Sequence, residues 1–172
     1  MSEEKSTLDA TKAGGIDYSG RPFGYLDPDN ETAMICEQDP IIREELSKAI
    51  KSLNIDVVEP TTFKEALRYL RFHIFNVIVV DEKFDTDVWE SNYVLNYIEN
   101  LIMPIRRRTF VVLISETYPT MDNMRAYNKS VNLIINIKET AEAALILKKE
   151  IAENSDFYYL FRENINKSGK IY

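Results

Sequence analysis

Five short apolar runs, each closed by a polar residue and separated from the next by an amphipathic stretch, constrain this chain more than any other feature. The runs are Ala33 to Cys36, Ile55 to Val58, Phe75 to Val80, Phe110 to Ile114 and Val131 to Ile137. The central ones lack the alternation of a strand with one wet face, which marks strands buried on both faces. Helical spacing fills the intervals, first through Ile42, Leu46, Ala49, Ile50 and Leu53, then through Phe63, Ala66, Leu67 and Leu70. Five alternations of strand and helix predict an α/β domain whose parallel sheet is covered on both sides. Right-handed crossovers then place the functional crevice at the carboxyl ends of the strands.

Local signals set the boundaries. Asp39 suits a helix N-cap and Pro40 its first position, and Thr61 or Thr62 caps the second helix. The spacing predicts a third helix from Val88 to Ile102, ended by Pro104. A short fourth helix is capped by Thr120 and runs through Tyr127, and a long fifth begins near Thr140. Residues 1–30 read as a polar leader, although Arg21 to Leu26 is apolar enough to lie against the domain. The folded domain is expected over 31–153, with a helical, aromatic-rich extension over 154–172.

Four of the five glycines fall in the first 24 residues, and none occurs between Tyr25 and Ser168. A phosphate-cradling loop needs glycines so that backbone N–H groups approach the anion closely, so the domain holds neither a P-loop nor a dinucleotide fingerprint. One cysteine, Cys36, excludes an internal disulfide and a cysteine-rich zinc site, and reads as a core hydrophobe rather than a redox sensor. The one histidine, His73, reads as a helix-end residue and leaves little room for histidine catalysis. A net charge of −7 argues against nucleic acid as a partner. The basic run Arg106-Arg107-Arg108 reads as a solvated loop rather than a docking site for an acidic partner. No apolar run approaches the ~18 residues of a membrane span and the start is no signal peptide, so the expected location is the cytoplasm, with no membrane partner.

The polar residues that close the strands converge: Glu37, Gln38 and Asp39 after the first, Asp81 after the third, Ser115 after the fourth, Asn136 to Lys138 after the fifth. Two carboxylates about 4 Å apart repel by about 4 kcal/mol at an effective dielectric of about 20. Such a cluster calls for a divalent cation, a raised pKa or a basic partner.

In the order and spacing of Ile35 to Arg43 with Leu46, Glu65-Ala66-Leu67, Val77 to Asp81 and Val111 to Ser115, the chain resembles the receiver domain of bacterial two-component response regulators. The resemblance spans about Thr32 to Glu153. It implies a flavodoxin-like, doubly wound five-stranded parallel sheet of order 2-1-3-4-5, with an extended last helix. It implies Asp81 as phosphoacceptor, Ser115 as a phosphoryl contact, and Asn136 or Lys138 in the place of a phosphoryl-pairing lysine. Metal candidates are Glu37, Gln38, Asp81 and Lys83, with Mg2+ as cofactor if the site works and none otherwise.

The departures from the family are specific. Gln38 removes a charge from the metal site, Glu116 replaces the usual small residue, and Leu133 or Ile134 stands where an aromatic is common. They imply a non-enzymatic signalling module with a degenerate site, working through protein partners such as a sensor kinase or a downstream signalling protein. A working phosphoacceptor at Asp81 is the alternative. Phe157, Tyr158 and Phe161 are candidates for a partner or homodimer surface, unless the extension packs on its own domain. Trp89, Tyr93 and Tyr97 read as helix-packing residues.

Overall fold

The structure, a computed structural model, describes residues 30–87 and 91–168. The leader up to residue 29, Val88 and Trp89 lie outside the described residues. Five parallel strands, β1 (Thr32–Cys36), β2 (Asp56–Val58), β3 (Val77–Asp81), β4 (Phe110–Ser115) and β5 (Leu133–Asn136), form one sheet of order β2-β1-β3-β4-β5. This is the flavodoxin-like arrangement. The helices are α1 (Pro40–Lys51), α2 (Phe63–Phe72), α3 (Tyr93–Glu99), α4 (Met103–Arg106), α5 (Asn123–Asn128), α6 (Ala143–Phe157) and α7 (Tyr159–Lys167), with a 3-10 segment over Ile137–Glu142.

Period-2 alternation sorts the apolar strand residues onto two cores. Ala33, Ile35, Val77, Val79, Val112 and Ile114 pack with Leu46 and Ile50 of α1 and Leu147 of α6. Met34, Cys36, Ile78, Val80 and Leu113 pack with Ala66 of α2, Val94 and Ile98 of α3 and Ala126 of α5. Each large side chain so buried stabilises the fold by about 1.5–3 kcal/mol before the entropy of ordering is set against it. Cys36 is fully buried and desolvation pushes its thiol far above the ordinary range, which keeps it protonated.

The first two helices carry the caps expected of them. Asp39 Oδ1 accepts from the amides of Ile41 and Ile42 at 2.8 and 3.3 Å, and Thr62 Oγ1 accepts from that of Glu65 at 3.3 Å. Downstream the structure corrects four readings. The third helix stops at Glu99, and Pro104 does not end it but sits in the first turn of the separate α4, where its missing N–H costs no hydrogen bond. Asp122, not Thr120, caps α5 through the amide of Arg125, while Thr120 Oγ1 accepts from the amide of Asn136. The last helix begins at Ala143 and breaks at Tyr158, so the extended helix is two.

The fourth correction concerns the basic run. Arg106 is no solvated loop residue: its guanidinium donates to the carbonyls of Thr109 (3.0 Å) and Ser130 (2.6 Å) and to Asn132 Oδ1 (3.0 Å). The Arg107 guanidinium lies 5.0 Å from the centre of the Phe161 ring. His73 ends α2, with Nε2 2.7 Å from Thr32 Oγ1, which ties the end of α2 to the start of β1. No described helix is long and apolar enough to cross a membrane.

Candidate functional site

Strand order reverses between β1 and β3, and the crevice beyond their carboxyl ends is where sheets of this kind bind ligands. Cys36 pairs with Val80, so Glu37 and Asp81, one residue beyond each, stand side by side on the same face. Glu37 is only 4% exposed. Its Oε1 accepts from the amide of Asp39 at 2.9 Å, while Oε2 is buried with no hydrogen-bond partner. Burial raises its pKa to about 7, and the charge of Asp81 contributes in the same direction. Arg43, the nearest cation by sequence, leaves this carboxylate alone: it donates to the Glu37 carbonyl at 3.2 Å and lies 3.7 Å from the Glu59 carboxylate.

Asp81 is half-buried, and Oδ1 accepts from the amide of Lys83 at 2.8 Å. Its pKa is pushed up to about 6, first by burial and then by the charges of Glu82 and Glu116, against the opposing amide of Lys83. The Lys83 ammonium is held 2.7 Å from Glu116 Oε2, in an exposed pair that links the loops after β3 and β4. Glu116 therefore stands at the mouth of the crevice as half of an ion pair rather than as a lone repelling charge.

Ser115 is brought to the same rim, yet its hydroxyl serves another residue. Asp81 pairs with Ile114, so Ser115 lies one step further and opposes Glu82, on the other face of the sheet. Its Oγ donates to Glu82 Oε2 at 3.0 Å and accepts from the amides of Thr117 and Tyr118 at 3.1 and 3.0 Å. Glu82 Oε1 accepts from the amide of Glu116 at 3.1 Å. Asn92, fully buried, donates to the carbonyls of Asp81 and Glu82 at 3.0 and 3.3 Å and caps α3 through Oδ1.

Glu82 and Asn92 are the residues that sequence reasoning missed. For Glu82 the sequence carried only the alternation that sets it on the face of Val80, as it sets Ser115 on the face of Leu113; their register came from the structure. For Asn92 the signal was a cap-forming side chain just ahead of Val94 and Leu95.

Asn136 and Lys138 do not reach Asp81. Asn136 donates from Nδ2 to the Tyr118 carbonyl at 2.8 Å and accepts at Oδ1 from the amide of Lys138 at 3.0 Å. Strand periodicity would set Lys138 on the face of Asn136, but β5 ends at Asn136 and the 3-10 segment beyond it carries Lys138 into solvent. Gln38 is exposed as well.

The donors for a cation are thus Glu37, with its orphaned oxygen, and Asp81. No three His, Cys, Asp or Glu side chains converge as a metal cage among the described residues. Two carboxylates fit Mg2+, which keeps several of its waters and is commonly held by one or two acidic groups. The Lys83 carbonyl, already accepting from Thr86 at 3.1 Å, retains a second lone pair on the same loop.

Of the aromatic candidates, Phe157 is 78% exposed, while Tyr158 and Phe161 are half-buried and meet edge-on at 6.2 Å. Tyr159 and Leu160 are exposed beside Phe157.

No protein-family model matches the sequence, and a search of curated proteins finds no match. Solved structures do match. A response regulator from Thermotoga maritima superposes with a TM-score of 0.54 at 20% identity, over 72% of this chain and 98% of that one. The receiver domain of a Pseudomonas aeruginosa sensor histidine kinase, with a magnesium ion coordinated in its active-site cleft, gives 0.55 at 16% identity, again over 72% and 98%. An orphan response regulator of Helicobacter pylori gives 0.53 at 9% identity, over 70% and 96%. The chain has the fold of receiver domains.

Proposed function

We propose that this chain is a receiver-like signalling module acting by protein–protein contact, with a degenerate phosphoacceptor site around Asp81. One observation carries the reading. The hydroxyl of Ser115 and the amide of Glu116, at the end of β4, are both committed to the carboxylate of Glu82. A phosphoryl group on Asp81 would bring about two negative charges to a rim already lined by Glu37, Glu82 and Glu116. Lys83, the cation beside it, is held by Glu116. The module's partners are a sensor kinase or a downstream signalling protein, in the cytoplasm, and its role requires no enzymatic activity of its own.

A second reading has Asp81 phosphorylated with Mg2+. It is supported by the orphaned Glu37 oxygen and by the partial exposure of Asp81. In that reading Glu37 and Asp81 hold the ion, and bound Mg2+ supplies charge neutralisation for the transferred group.

The two readings separate in one titration. With Mg2+ and beryllofluoride, a mimic of the phosphoryl group, amide NMR shifts around Asp81 are expected to stay unchanged at millimolar concentrations. Saturable shifts that disappear in Asp81→Asn would replace the first reading by the second.

A further inference from the structure

Glu31 stands where two recesses of the surface meet, at the amino ends of the strands. One is a groove of about 710 Å³ between the turn after α1 and the outer face of α6, with Leu53, Ile55, Ala144, Leu145, Ile151 and Ala152 in its walls. The other, of about 250 Å³, brings Arg108 and Arg162 to the same edge and shares Glu31, Ile151 and Ser155 with the first. We propose that the groove is the docking site of the chain's own leader, with Phe23, Tyr25 and Leu26 filling it and Asp27 and Asp29 meeting the cations beside it. The inference is independent of the chemistry of Asp81, which lies at the opposite end of the sheet.

The place where the chain arrives is the first support. The Glu31 carbonyl accepts from the amide of Asp56 at 2.9 Å, and Asn30 Nδ2 donates to Asp56 Oδ2 at 3.4 Å. These bonds fix the start of the domain to the β2 edge, at the rim of the groove. From Glu31, Leu26 is five residues upstream and Phe23 eight. At no more than about 3.6 Å per residue they reach about 18 and 29 Å. The α6 wall from Leu145 to Ser155 is about 15 Å long at 1.5 Å per residue, so the segment spans the groove.

Chemistry is the second. Leu145 is 74% exposed, and with Lys148, Ala152 and Ser155 it forms a stripe along one face of α6. Three large apolar side chains fall within four positions of the leader, and Asp27 and Asp29 follow at once. Lys148 in the groove and Arg108 in the adjoining recess make no ion pair among the described residues. Burial of the apolar trio supplies the affinity, and the exposed ion pairs set its direction. A short tether also holds the segment at an effective concentration on the order of millimolar, which favours it over a separate chain. Docked there, the leader covers the apolar stripe of α6.

The test uses the full chain. Ala152 is exposed on the groove wall and the sole native thiol, Cys36, is buried, so Ala152→Cys supplies one reactive position. Its alkylation by iodoacetamide is timed with the native leader and with Phe23, Tyr25 and Leu26 all changed to serine. The serine leader should speed the reaction about tenfold, and Asp27→Asn with Asp29→Asn about twofold. Equal rates with native and serine leaders would overturn the proposal. Protection that fades on dilution would overturn it too, in favour of a second copy as occupant. In the chain with its native Ala152, nuclear Overhauser contacts are expected from the Phe23 and Tyr25 rings to the methyl groups of Ile55 and Ile151, and their absence would equally end it.

Discussion

The two halves of the strand-end rim are built on opposite principles. On the β1–β3 side, Glu37 and Asp81 stand side by side with raised pKa values, and one carboxylate oxygen has no partner at all. On the β4–β5 side, Ser115 pairs with Glu82 and Thr120 with Asn136, and the Glu116 amide and Tyr118 carbonyl complete the set, through hydrogen bonds of 2.8 to 3.1 Å. A buried polar group left unpaired costs stability, whereas a satisfied network fixes one conformation. The contrast sets an uncompensated pair of carboxylates beside a satisfied network, although both occupy one edge of one sheet.

The largest expected effect lies on the unsatisfied side. An unfolded Glu37 releases its proton near 4.5 and the folded one near 7, so between these values the folded chain holds more protons and loses stability as pH rises. At about 1.4 kcal/mol per pKa unit, the loss reaches about 3 kcal/mol once pH passes the folded value. Asp81, raised to about 6, adds a loss of the same sign. Urea unfolding near pH 8 should therefore find Glu37→Gln more stable than wild type, with the two nearly equal near pH 4. In Asp81→Asn, the carboxyl resonance of Glu37 should titrate below its wild-type midpoint. A wild type whose stability rises from pH 5 to 8 would break the comparison.

The satisfied side should give a somewhat smaller effect of opposite sign. Ser115→Ala leaves Glu82 Oε2 without its donor and the amides of Thr117 and Tyr118 without their acceptor, and should cost about 2 kcal/mol in urea unfolding at neutral pH. A cost indistinguishable from zero would mean that water replaces the hydroxyl and the network is not what fixes this half.

Smallest of all is the exposed pair that spans the two halves. Lys83→Met should leave urea stability unchanged, as exposed ion pairs usually do. Its measurable consequence is electrostatic: the Lys83 charge lowers the pKa of Asp81, so the Asp81 carboxyl should titrate higher in the variant.

The apolar runs made the sheet legible, because a strand buried on both faces leaves an unmistakable sequence pattern, and Asp39-Pro40 marked α1 by cap chemistry alone. The convergence of Glu37, Asp81 and Ser115 at one edge followed from parallel connectivity. The partner of the Ser115 hydroxyl did not, because it depends on a single-residue register: with Asp81 opposite Ile114, the serine meets Glu82. Arg106 escapes a sequence reading for a related reason. Two of its three acceptors are backbone carbonyls, which leave no trace in side-chain identity. Strand periodicity misplaces Lys138 because the strand ends at Asn136 and the chain coils beyond it.

The depth at which Cys36 sits has a practical corollary. As the sole thiol of the chain, shut inside the core and protonated, it gives the folded protein a silent background for thiol-directed probes. A cysteine introduced at Met124 or Phe157, both widely open to solvent, would carry a spin label or fluorophore as the one reactive position. Distances between two such labels would then report on α5 and on the last helices without first rebuilding the native sequence.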